Sequence, residues 1–254
     1  MIKAFKETKP TDAPDDIFYG RIKLHQPAEG SGPRINVDTV LLAHYARVKA
    51  RDRVAEMGCA HGAVSLIMAK RMPSAAYEGF DINPDLIALA VRNSGLNGAG
   101  EMVRFFVSDL REHRKNFARE SYDVVVMNPP YDEPGTSRPS SKDAMAEAMH
   151  GKACTLSEVV DCAKYLLRNG GKFFLVIRAK RVGELFHLLY ERNIKPKRFR
   201  AVHPKPGRPA SVALVEAVRA SGSGMTVENP LFIHDSGGEY TEALLEAYRL
   251  SDGD

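Results

Sequence analysis

Short apolar runs alternate with segments of helical periodicity along most of the chain. Apolar residues that recur three and four positions apart are typical of helices, and uninterrupted runs of about four to eight are typical of buried strands. These patterns predict strands at residues 17–24, 54–57, 76–80, 103–107, 122–127, 172–177, 199–203 and 211–218. They predict helices at residues 37–48, 63–71, 83–93, 156–167, 182–192 and 241–250.

The alternation of strands and helices predicts an α/β fold. Strand–helix–strand units are nearly always right-handed, so we expect the seven strands from residue 54 onward to form a mostly parallel sheet with helices on both faces. Residues 122–127 are apolar on both faces of the predicted strand, which favours a central position. Ligands of such sheets bind at the carboxyl ends of the strands, so the candidate site should lie in the loops that follow them.

Two polar stretches interrupt this pattern. Residues 1–16 are rich in charged residues, Thr and Pro, and we expect them to be flexible. Residues 132–152 form a connection with Gly, Pro and Ser that is longer than a compact domain usually needs, which predicts a loop on the substrate side of the site. We see no internal repeat and interpret residues 1–254 as one domain with these extensions.

Composition excludes several classes of protein. The apolar and charged fractions, 44% and 27%, are typical of soluble globular proteins, and no run approaches the roughly 18 to 20 apolar residues of a membrane span. The N-terminus lacks a secretion signal, so we expect a cytoplasmic protein without a membrane partner. Cys59, Cys154 and Cys162 contain no Cys-x-x-Cys pair, which argues against a disulfide framework and a zinc site. We expect no metal, and the oligomeric state stays open.

Charge is distributed unevenly, although the net value is only +4. No acidic residue occurs between Glu191 and Glu216, and the basic stretch at 192–210 is predicted to be a turn flanked by strands. It is either a solvated surface or an edge that contacts phosphates, and its aromatic and proline residues favour the second interpretation. The candidate phosphate contacts are Lys195, Lys197, Arg198, Arg200, Lys205 and Arg208.

A glycine-rich segment connects the strand at 54–57 to the helix at 63–71. It reads Glu56-Met57-Gly58-Cys59-Ala60-His61-Gly62. Small residues let the backbone approach a ligand closely, and the N-terminus of the following helix attracts negative groups. An ordinary strand-to-helix turn has the same appearance, so this segment alone is a weak signal.

Carboxylates follow the next two predicted strands. Asp81 follows the strand at 76–80, where a carboxylate can accept hydrogen bonds from the hydroxyls of a ribose. Asp109 follows the strand at 103–107, where it can accept a hydrogen bond from an adenine amino group. With the glycine-rich segment, these residues predict a site for a cofactor that contains adenosine, either a dinucleotide or S-adenosylmethionine.

The strand at 122–127 ends in Asn128-Pro129-Pro130-Tyr131. Consecutive prolines fix the backbone and remove two N–H donors, so the local carbonyl groups remain as acceptors. The Asn128 side-chain oxygen and the Pro129 carbonyl can then accept both hydrogens of a planar –NH₂ group, and Tyr131 offers a ring on which a base or amide stacks. A proline-rich turn without a ligand is the alternative, but the position favours chemistry on an amino group.

These residues together resemble the motifs of the amino-group methyltransferases of the Rossmann-like class I, which use S-adenosyl-L-methionine. Over nearly the whole chain the sequence is similar to the bacterial tRNA adenine-N6 methyltransferases that modify adenosine 37, beside the anticodon of valine tRNA. The resemblance also rests on residues 35–43, 201–205, 210–217 and 238–242. One departure is Ala60, where many relatives have glycine, and alanine is small enough to leave cofactor binding intact.

The resemblance implies a role for each matching residue. The cofactor contacts would be Glu56, Gly58, Gly62 and the backbone of Cys59 at the methionine end, Asp81 at the ribose and Asp109 at the adenine. Ile82 and Leu110 would also contact the cofactor. Asn128, Pro129 and Tyr131 would position the target amine, with Asn128 also beside the cofactor. The basic stretch would bind RNA, with tRNA as the expected partner. Asp38 would line the cofactor pocket or, alternatively, cap the helix that follows it.

Other functions stay open. A protein glutamine-N5 methyltransferase would use the same motif on an amide, although such enzymes usually carry a helical domain before the glycine-rich segment, and only 55 residues precede Glu56. A guanine-N2 rRNA methyltransferase also modifies an exocyclic amine. A dinucleotide-dependent oxidoreductase or a non-catalytic nucleotide-binding module would leave residues 128–131 unexplained.

Overall fold

The computed structural model describes residues 13–129 and 154–250, so the predictions for residues 1–12 and 132–152 lie outside the described residues. A small hairpin of β1 (Asp15–Ile17) and β2 (Ile22–Leu24) precedes a nine-stranded sheet. The strands of the sheet are β3 (Arg53–Met57), β4 (Ala76–Asp81), β5 (Val103–Val107), β6 (Tyr122–Met127), β7 (Leu167–Arg178), β8 (Ile194–His203), β9 (Val212–Arg219), β10 (Thr226–Val227) and β11 (Leu231–Phe232).

The strand order is β5-β4-β3-β6-β7-β9-β8-β10, and β11 also pairs with β8. Neighbouring strands from β5 to β7 are parallel, whereas β9 runs antiparallel to both β7 and β8. The mostly parallel α/β fold is therefore confirmed. The expected number of seven strands is corrected to nine, because β10 and β11 have two residues each, too few to show a period in the sequence.

Helices cover both faces of the sheet. They are α1 (Val37–Tyr45), α2 (Ala63–Arg71), α3 (Pro84–Leu96), α4 (His113–Asn116), α5 (Leu156–Leu166), α6 (Val182–Glu191) and α7 (Glu242–Ala247). In the central strand β6, Val124 and Val126 pack on one face in a core that includes α1 and α2. Val125 and Met127 pack on the opposite face with α5 and α6. Alternating side chains thus give β6 two apolar faces, as its composition predicts.

Polar side chains fix where the helices begin. Asn36 caps α1 by accepting the Thr39 N–H at 3.0 Å, and Thr39 Oγ1 accepts the Asn36 N–H at 3.4 Å. Asp38 is therefore not the cap of α1, and that alternative is wrong; it lies half-buried in the first turn. Asn83 caps α3, which starts with Pro84 at its first position.

Several predicted boundaries differ from the structure. The predicted strand at 17–24 is the β1–β2 hairpin, because Phe18, Tyr19 and Gly20 have positive φ and reverse the chain. Residues 15 and 16, predicted to be flexible, belong to β1. Helices α1 and α7 are shorter than predicted, and α3 is longer. Within the described ranges, no helix is both long and apolar enough to cross a membrane.

The largest differences concern β7 and β8. Two adjacent glycines, Gly170 and Gly171, predict the end of the preceding helix, but they lie inside β7, at an irregularity in its pairing with β6. Most of the predicted basic turn at 192–210 is strand β8, and only residues 204–211 connect β8 to β9. Pairing with β9, which is irregular only between Pro196 and Arg198, holds these residues in a strand whatever the charge of their side chains, and local sequence does not reveal that pairing.

Candidate active site

Strand register brings the predicted site residues to one edge of the sheet. β3 pairs in register with β4 on one side and β6 on the other, and the last residue of β3 lies in one row with Phe80 and Met127. The loops that contain Gly58 and Asn128 therefore start side by side at the carboxyl edge, next to Asp81. Asp81 pairs with the last residue of β5, so the segment with residue 109 starts at the same edge.

The glycine-rich segment forms a tight turn between β3 and α2. Gly58 and Gly62 have φ values of +63° and +87°, in the left-handed region that side chains disfavour. A Cβ atom on Gly62 would also lie 2.6 Å from the ring of Phe105. Ala60 adopts a φ of +48°, which costs about 1 to 2 kcal/mol for a residue with a Cβ atom. The turn thus has the compact backbone conformation that a close approach to a ligand requires.

Asp81 is hydrogen-bonded to this turn. Its Oδ2 accepts the Ala60 N–H at 2.9 Å, and its Oδ1 accepts the Asn83 N–H at 3.0 Å. A carboxylate oxygen is also a suitable acceptor for the hydroxyl groups of a ligand. Ile82, beside it, is 39% exposed and offers an apolar surface at the same edge.

Glu56 lies at the end of β3 and is almost completely buried. Its Oε2 accepts the backbone N–H of Ser65 at 2.9 Å and also the Ser65 hydroxyl. Burial raises the pKa of Glu56 to about 7, the two Ser65 bonds oppose that rise, and the negative charge of Asp81 adds to it. The carboxyl group thus anchors the first turn of α2, and an approaching positive group would favour its ionisation.

Asp109 follows β5 and is held by a residue close to it. The Arg111 side chain pairs with its carboxylate, with Nη2 at 2.6 Å from Oδ2, and the Arg111 backbone N–H donates to Oδ1 at 2.9 Å. These bonds keep the pKa of Asp109 below its usual value. Leu110 is buried in the core next to it. An adenine amino group at this position would share Asp109 with Arg111, a competition that the sequence motif does not show.

Asn128 places a buried acceptor at the end of β6. Its side chain is half-buried, and its Oδ1 atom is buried without a hydrogen-bond partner in the part of the chain that the structure describes. A buried acceptor left unpaired costs about 1 to 3 kcal/mol, so a donor that reached this oxygen would be bound favourably. Pro129 is buried and has no N–H group to donate. The predicted contact Tyr131 lies outside the described residues.

Two residues of reactive type in the turn are neutral. Burial lowers the pKa of His61 to about 4, and the charge of Arg34 contributes to that decrease. Burial raises the pKa of the Cys59 thiol well above its usual value, so it does not form a thiolate at neutral pH. We therefore assign neither residue a role as base or nucleophile, and the expected contact from Cys59 would come from its backbone.

Asn93 supports the turn, although it belongs to none of the sequence motifs. It lies fully buried on α3, where its Nδ2 donates to the carbonyl groups of His25 and His61, each at 2.9 Å. Its Oδ1 accepts the His25 N–H at 2.8 Å. The side chain thus joins the segment after β2 to the glycine-rich turn. Its signal in the sequence is a polar residue three positions after buried Ala90, on the apolar side of a helix.

Four of the candidate phosphate contacts, Lys195, Lys197, Arg198 and Arg200, lie on β8. The Arg198 guanidinium pairs with Glu216 at 2.8 Å and with Glu228 at 2.5 Å. Lys197 Nζ donates to the carbonyl of residue 222 at 2.6 Å, and Arg200 Nε donates to the carbonyl of residue 229 at 3.1 Å. Lys195 lies over the Tyr190 ring, with Nζ at 4.7 Å from its centroid. Internal partners therefore compete with any phosphate for these side chains.

The other two candidates, Lys205 and Arg208, are exposed on the β8–β9 connection. β8 and β7 are both antiparallel to β9, so β8 runs in the same direction as β7. Its end therefore lies at the carboxyl edge, together with Asn128. These two cations are the candidates that the structure brings to the edge of the site.

Comparison with known proteins gives a family match. Residues 25–191 match the model of the methyltransferase small domain family. The tRNA1(Val) (adenine(37)-N6)-methyltransferase of Yersinia enterocolitica serotype O:8 / biotype 1B is 26% identical over 223 residues, which cover 86% of each chain.

Solved structures share the fold. A predicted O-methyltransferase, protein Atu636 from Agrobacterium tumefaciens, aligns with a TM-score of 0.68 and 21% identity over 83% of this chain and 95% of that chain. Geranyl diphosphate C-methyltransferase from Streptomyces coelicolor A3(2), solved with Mg²⁺, geranyl diphosphate and S-adenosyl-L-homocysteine, aligns with a TM-score of 0.51 and 12% identity over 70% and 78%. These likenesses confirm a Rossmann-like class I fold.

Proposed function

Because the chain belongs to the methyltransferase small domain family, with S-adenosyl-L-methionine as its cofactor, we propose that it methylates N6 of an adenosine in RNA. The favoured target is adenine 37 in the anticodon loop of a valine tRNA, the reaction for which the similar Yersinia protein is named. One observation carries the proposal: the buried Asn128 Oδ1, which has no partner among the described residues, lies at the edge where the glycine-rich turn begins.

The residues at this edge fit the cofactor. Its carboxylate suits the backbone N–H groups at the start of α2, and its ammonium group suits the buried carboxyl of Glu56. Its ribose hydroxyls suit Asp81, beside the exposed Ile82. Its adenine would meet Asp109, which already pairs with Arg111. When bound, S-adenosyl-L-methionine supplies a methyl group attached to positively charged sulfur.

Asn128 and Pro129 orient the amino group of the target. The Asn128 Oδ1 and the Pro129 carbonyl accept its two N–H bonds, which directs the nitrogen lone pair out of the plane of the base. The nitrogen would form its bond to the methyl group as the methyl–sulfur bond breaks, the electron pair of that bond would stay on sulfur, and the nitrogen would release one proton to water. Tyr131, from its place in the sequence motif, supplies the ring on which the adenine stacks. The contribution of the protein is therefore positioning and preorganised acceptors, without a covalent intermediate on the chain.

The proposal of an RNA substrate requires a target base that can turn out from between its stacked neighbours. A base must turn outward to enter an edge of this kind, and turning is least costly for an unpaired nucleotide such as one in an anticodon loop. Lys205 and Arg208 lie at the same edge and provide charge for the neighbouring phosphates.

A substrate panel tests this function. The protein is incubated with methyl-labelled S-adenosyl-L-methionine and, separately, with unmodified total tRNA, with rRNA and with a glutamine-containing protein substrate. We expect label in tRNA, recovered by mass spectrometry as N6-methyladenosine at position 37 of valine tRNA. Label recovered only as N2-methylguanosine or as methylglutamine would contradict the proposal and identify the corresponding alternative.

A further inference from the structure

A group of aromatic and basic side chains lies beyond the end of β8. It consists of His203, Lys205 and Arg208, and of His234 and Tyr240 from the segment after β11; we call it the β8 rim. Lys205 and Arg208 are exposed, and Tyr240 is 57% exposed. The exposed ring and the two cations lie on two adjoining segments beyond β8.

Internal contacts hold the rim in place. The Tyr240 ring stacks on His234, with ring centroids 4.9 Å apart and planes inclined by 29°. The His234 N–H donates to the Pro204 carbonyl at 3.0 Å, and His203 Nδ1 donates to the Arg208 carbonyl at 2.8 Å. The His234 bond fastens the segment after β11 to the β8–β9 connection, and the His203 bond holds that connection against the end of β8. A partner would therefore meet a surface that is already ordered, which lowers the entropy lost on binding.

The rim lies at the same carboxyl edge of the sheet as the proposed methyl-transfer site. Met127 of β6 lies in one row with Phe199 of β8, across β7 and β9. Three inter-strand spacings separate them, about 14 Å in total. His203 lies four residues beyond Phe199 in the direction of the carboxyl edge. The end of β8 therefore projects past the level of Asn128 and flanks the site on one side.

The charge of the rim is mixed, which bears on what it can recognise. Asp235 and Glu239 lie in the same segment as Tyr240, and the Asp235 carboxylate accepts the N–H groups of Gly237 and Glu239 at 2.8 and 3.0 Å. A surface built for phosphate attraction alone would not carry these acids. Recognition must therefore come in large part from the ring, and the faces of unpaired bases are suitable ligands for it.

We propose that the β8 rim binds an unpaired base of the substrate RNA by stacking on Tyr240, with Lys205 and Arg208 on the adjoining phosphates. The base is a near neighbour of the methylated adenosine, because the rim flanks the site. This inference rests on the proposed function, since it assigns the RNA partner to the same edge. It also gives a shared role to residues 201–205 and 238–242, which carry the family resemblance and which His234 connects, through its bond to Pro204 and its ring contact with Tyr240.

The test compares Tyr240→Ala, Tyr240→Phe and a matched control, Tyr190→Ala. Tyr190 is 47% exposed and also lies near a lysine, but it stands near the end of α6, which leads back to the opposite edge of the sheet. Binding of a fluorescent anticodon stem–loop RNA and of a fully paired RNA duplex of equal charge is measured by anisotropy, with S-adenosyl-L-homocysteine present. Melting temperatures establish that each variant is folded.

We expect Tyr240→Ala to weaken binding of the stem–loop by about 5- to 100-fold and to leave binding of the duplex nearly unchanged. Tyr240→Phe retains the ring and should bind like the wild type, as should Tyr190→Ala. Lys205→Glu should lower the salt dependence of stem–loop binding by about one phosphate contact, whereas Lys49→Glu, an exposed lysine ahead of β3 at the opposite edge, should not.

Wild-type affinity of Tyr240→Ala for the stem–loop would overturn the inference, and so would an equal loss in Tyr240→Phe or equal wild-type affinity for loop and duplex. A different result would contradict the proposed function: the wild type would make no N6-methyladenosine. RNA binding could still depend on Tyr240 in that case. If both are right, Tyr240→Ala raises KM for the RNA and leaves kcat unchanged at saturating RNA.

Discussion

At the scale of single residues, the buried carboxyl of Glu56 has opposite effects on stability and on ligand binding. Its ionised form lowers the free energy of unfolding, but it is the form that suits a positive group of the cofactor. Its pKa in the folded protein is about 7, against 4.5 without burial. Between those two pH values, the folded state therefore keeps a proton on this group, whereas the unfolded chain releases it. Its contribution to the free energy of unfolding falls as pH rises from about 4.5 to about 7, and stays at its lowest above that range.

Removing the ionisable group at position 56 should therefore change the pH dependence of stability. Glutamine cannot ionise but keeps an oxygen for the two Ser65 bonds, so Glu56→Gln should raise the free energy of unfolding of the ligand-free protein at pH 8, on the order of 2 to 3 kcal/mol. The gain should shrink toward zero near pH 5. Denaturant titrations at both pH values measure it, and equal effects at pH 5 and pH 8 would show that ionisation is not the cause.

The same residue gives a prediction for the cofactor. A positive ammonium group beside Glu56 favours the ionised carboxyl, so affinity for S-adenosyl-L-methionine should weaken by up to about tenfold for each pH unit below 7. Glu56→Gln should bind more weakly at pH 8 and lose this pH dependence. Calorimetry at pH 6, 7 and 8 decides the point, and an unchanged Kd in the variant would place the ammonium group elsewhere.

At the scale of elements, the glycine-rich turn depends on a helix that the motif does not include. Asn93→Ala should leave a buried N–H and two buried carbonyl groups without partners, lowering stability by about 3 kcal/mol and weakening cofactor binding. Asn97→Ala is the matched control. Asn97, the C-cap residue directly after α3, accepts the Lys23 N–H and donates to the Lys23 carbonyl, but no bond joins it to the glycine-rich turn within the described residues.

Asn97→Ala should therefore lower stability by about 1 kcal/mol or less and leave the cofactor Kd unchanged. Thermal melts and calorimetry on both variants give the comparison. If the two variants affect cofactor binding equally, Asn93 supports the fold and does not position the turn.

The elements also show where sequence is informative. The turn at 58–62 and the position of Asp81 can be predicted from the sequence. Both depend on residues close together in the chain, namely the spacing of the glycines and the end of a strand. The pairing of Arg198 with Glu216 and Glu228 does not, since it joins strands whose neighbourhood only the folded sheet defines. β10 and β11 are set by pairing with β8 rather than by their own two residues.

At the scale of the whole molecule, the parallel sheet collects residues from distant parts of the sequence at one edge. Chain regions near residues 58, 81, 109 and 128 meet there because β3, β4, β5 and β6 are adjacent and parallel. The end of β8 joins the same edge from the far side of β9. The net charge of +4 says little about an RNA partner, whereas the placement of Lys205 and Arg208 at that edge favours one.

The central claim is that the Asn128 side-chain oxygen, unpaired within residues 13–129 and 154–250, holds the amino group that is methylated. It is tested most directly by single-turnover methyl transfer to valine tRNA by the wild type and by Asn128→Ala, with the Kd values for RNA and cofactor measured alongside. We predict that the rate of N6-methyladenosine formation falls by about 100- to 1,000-fold, while both Kd values change far less. A rate within a few-fold of the wild type, or a loss explained by weaker cofactor binding alone, would contradict the claim.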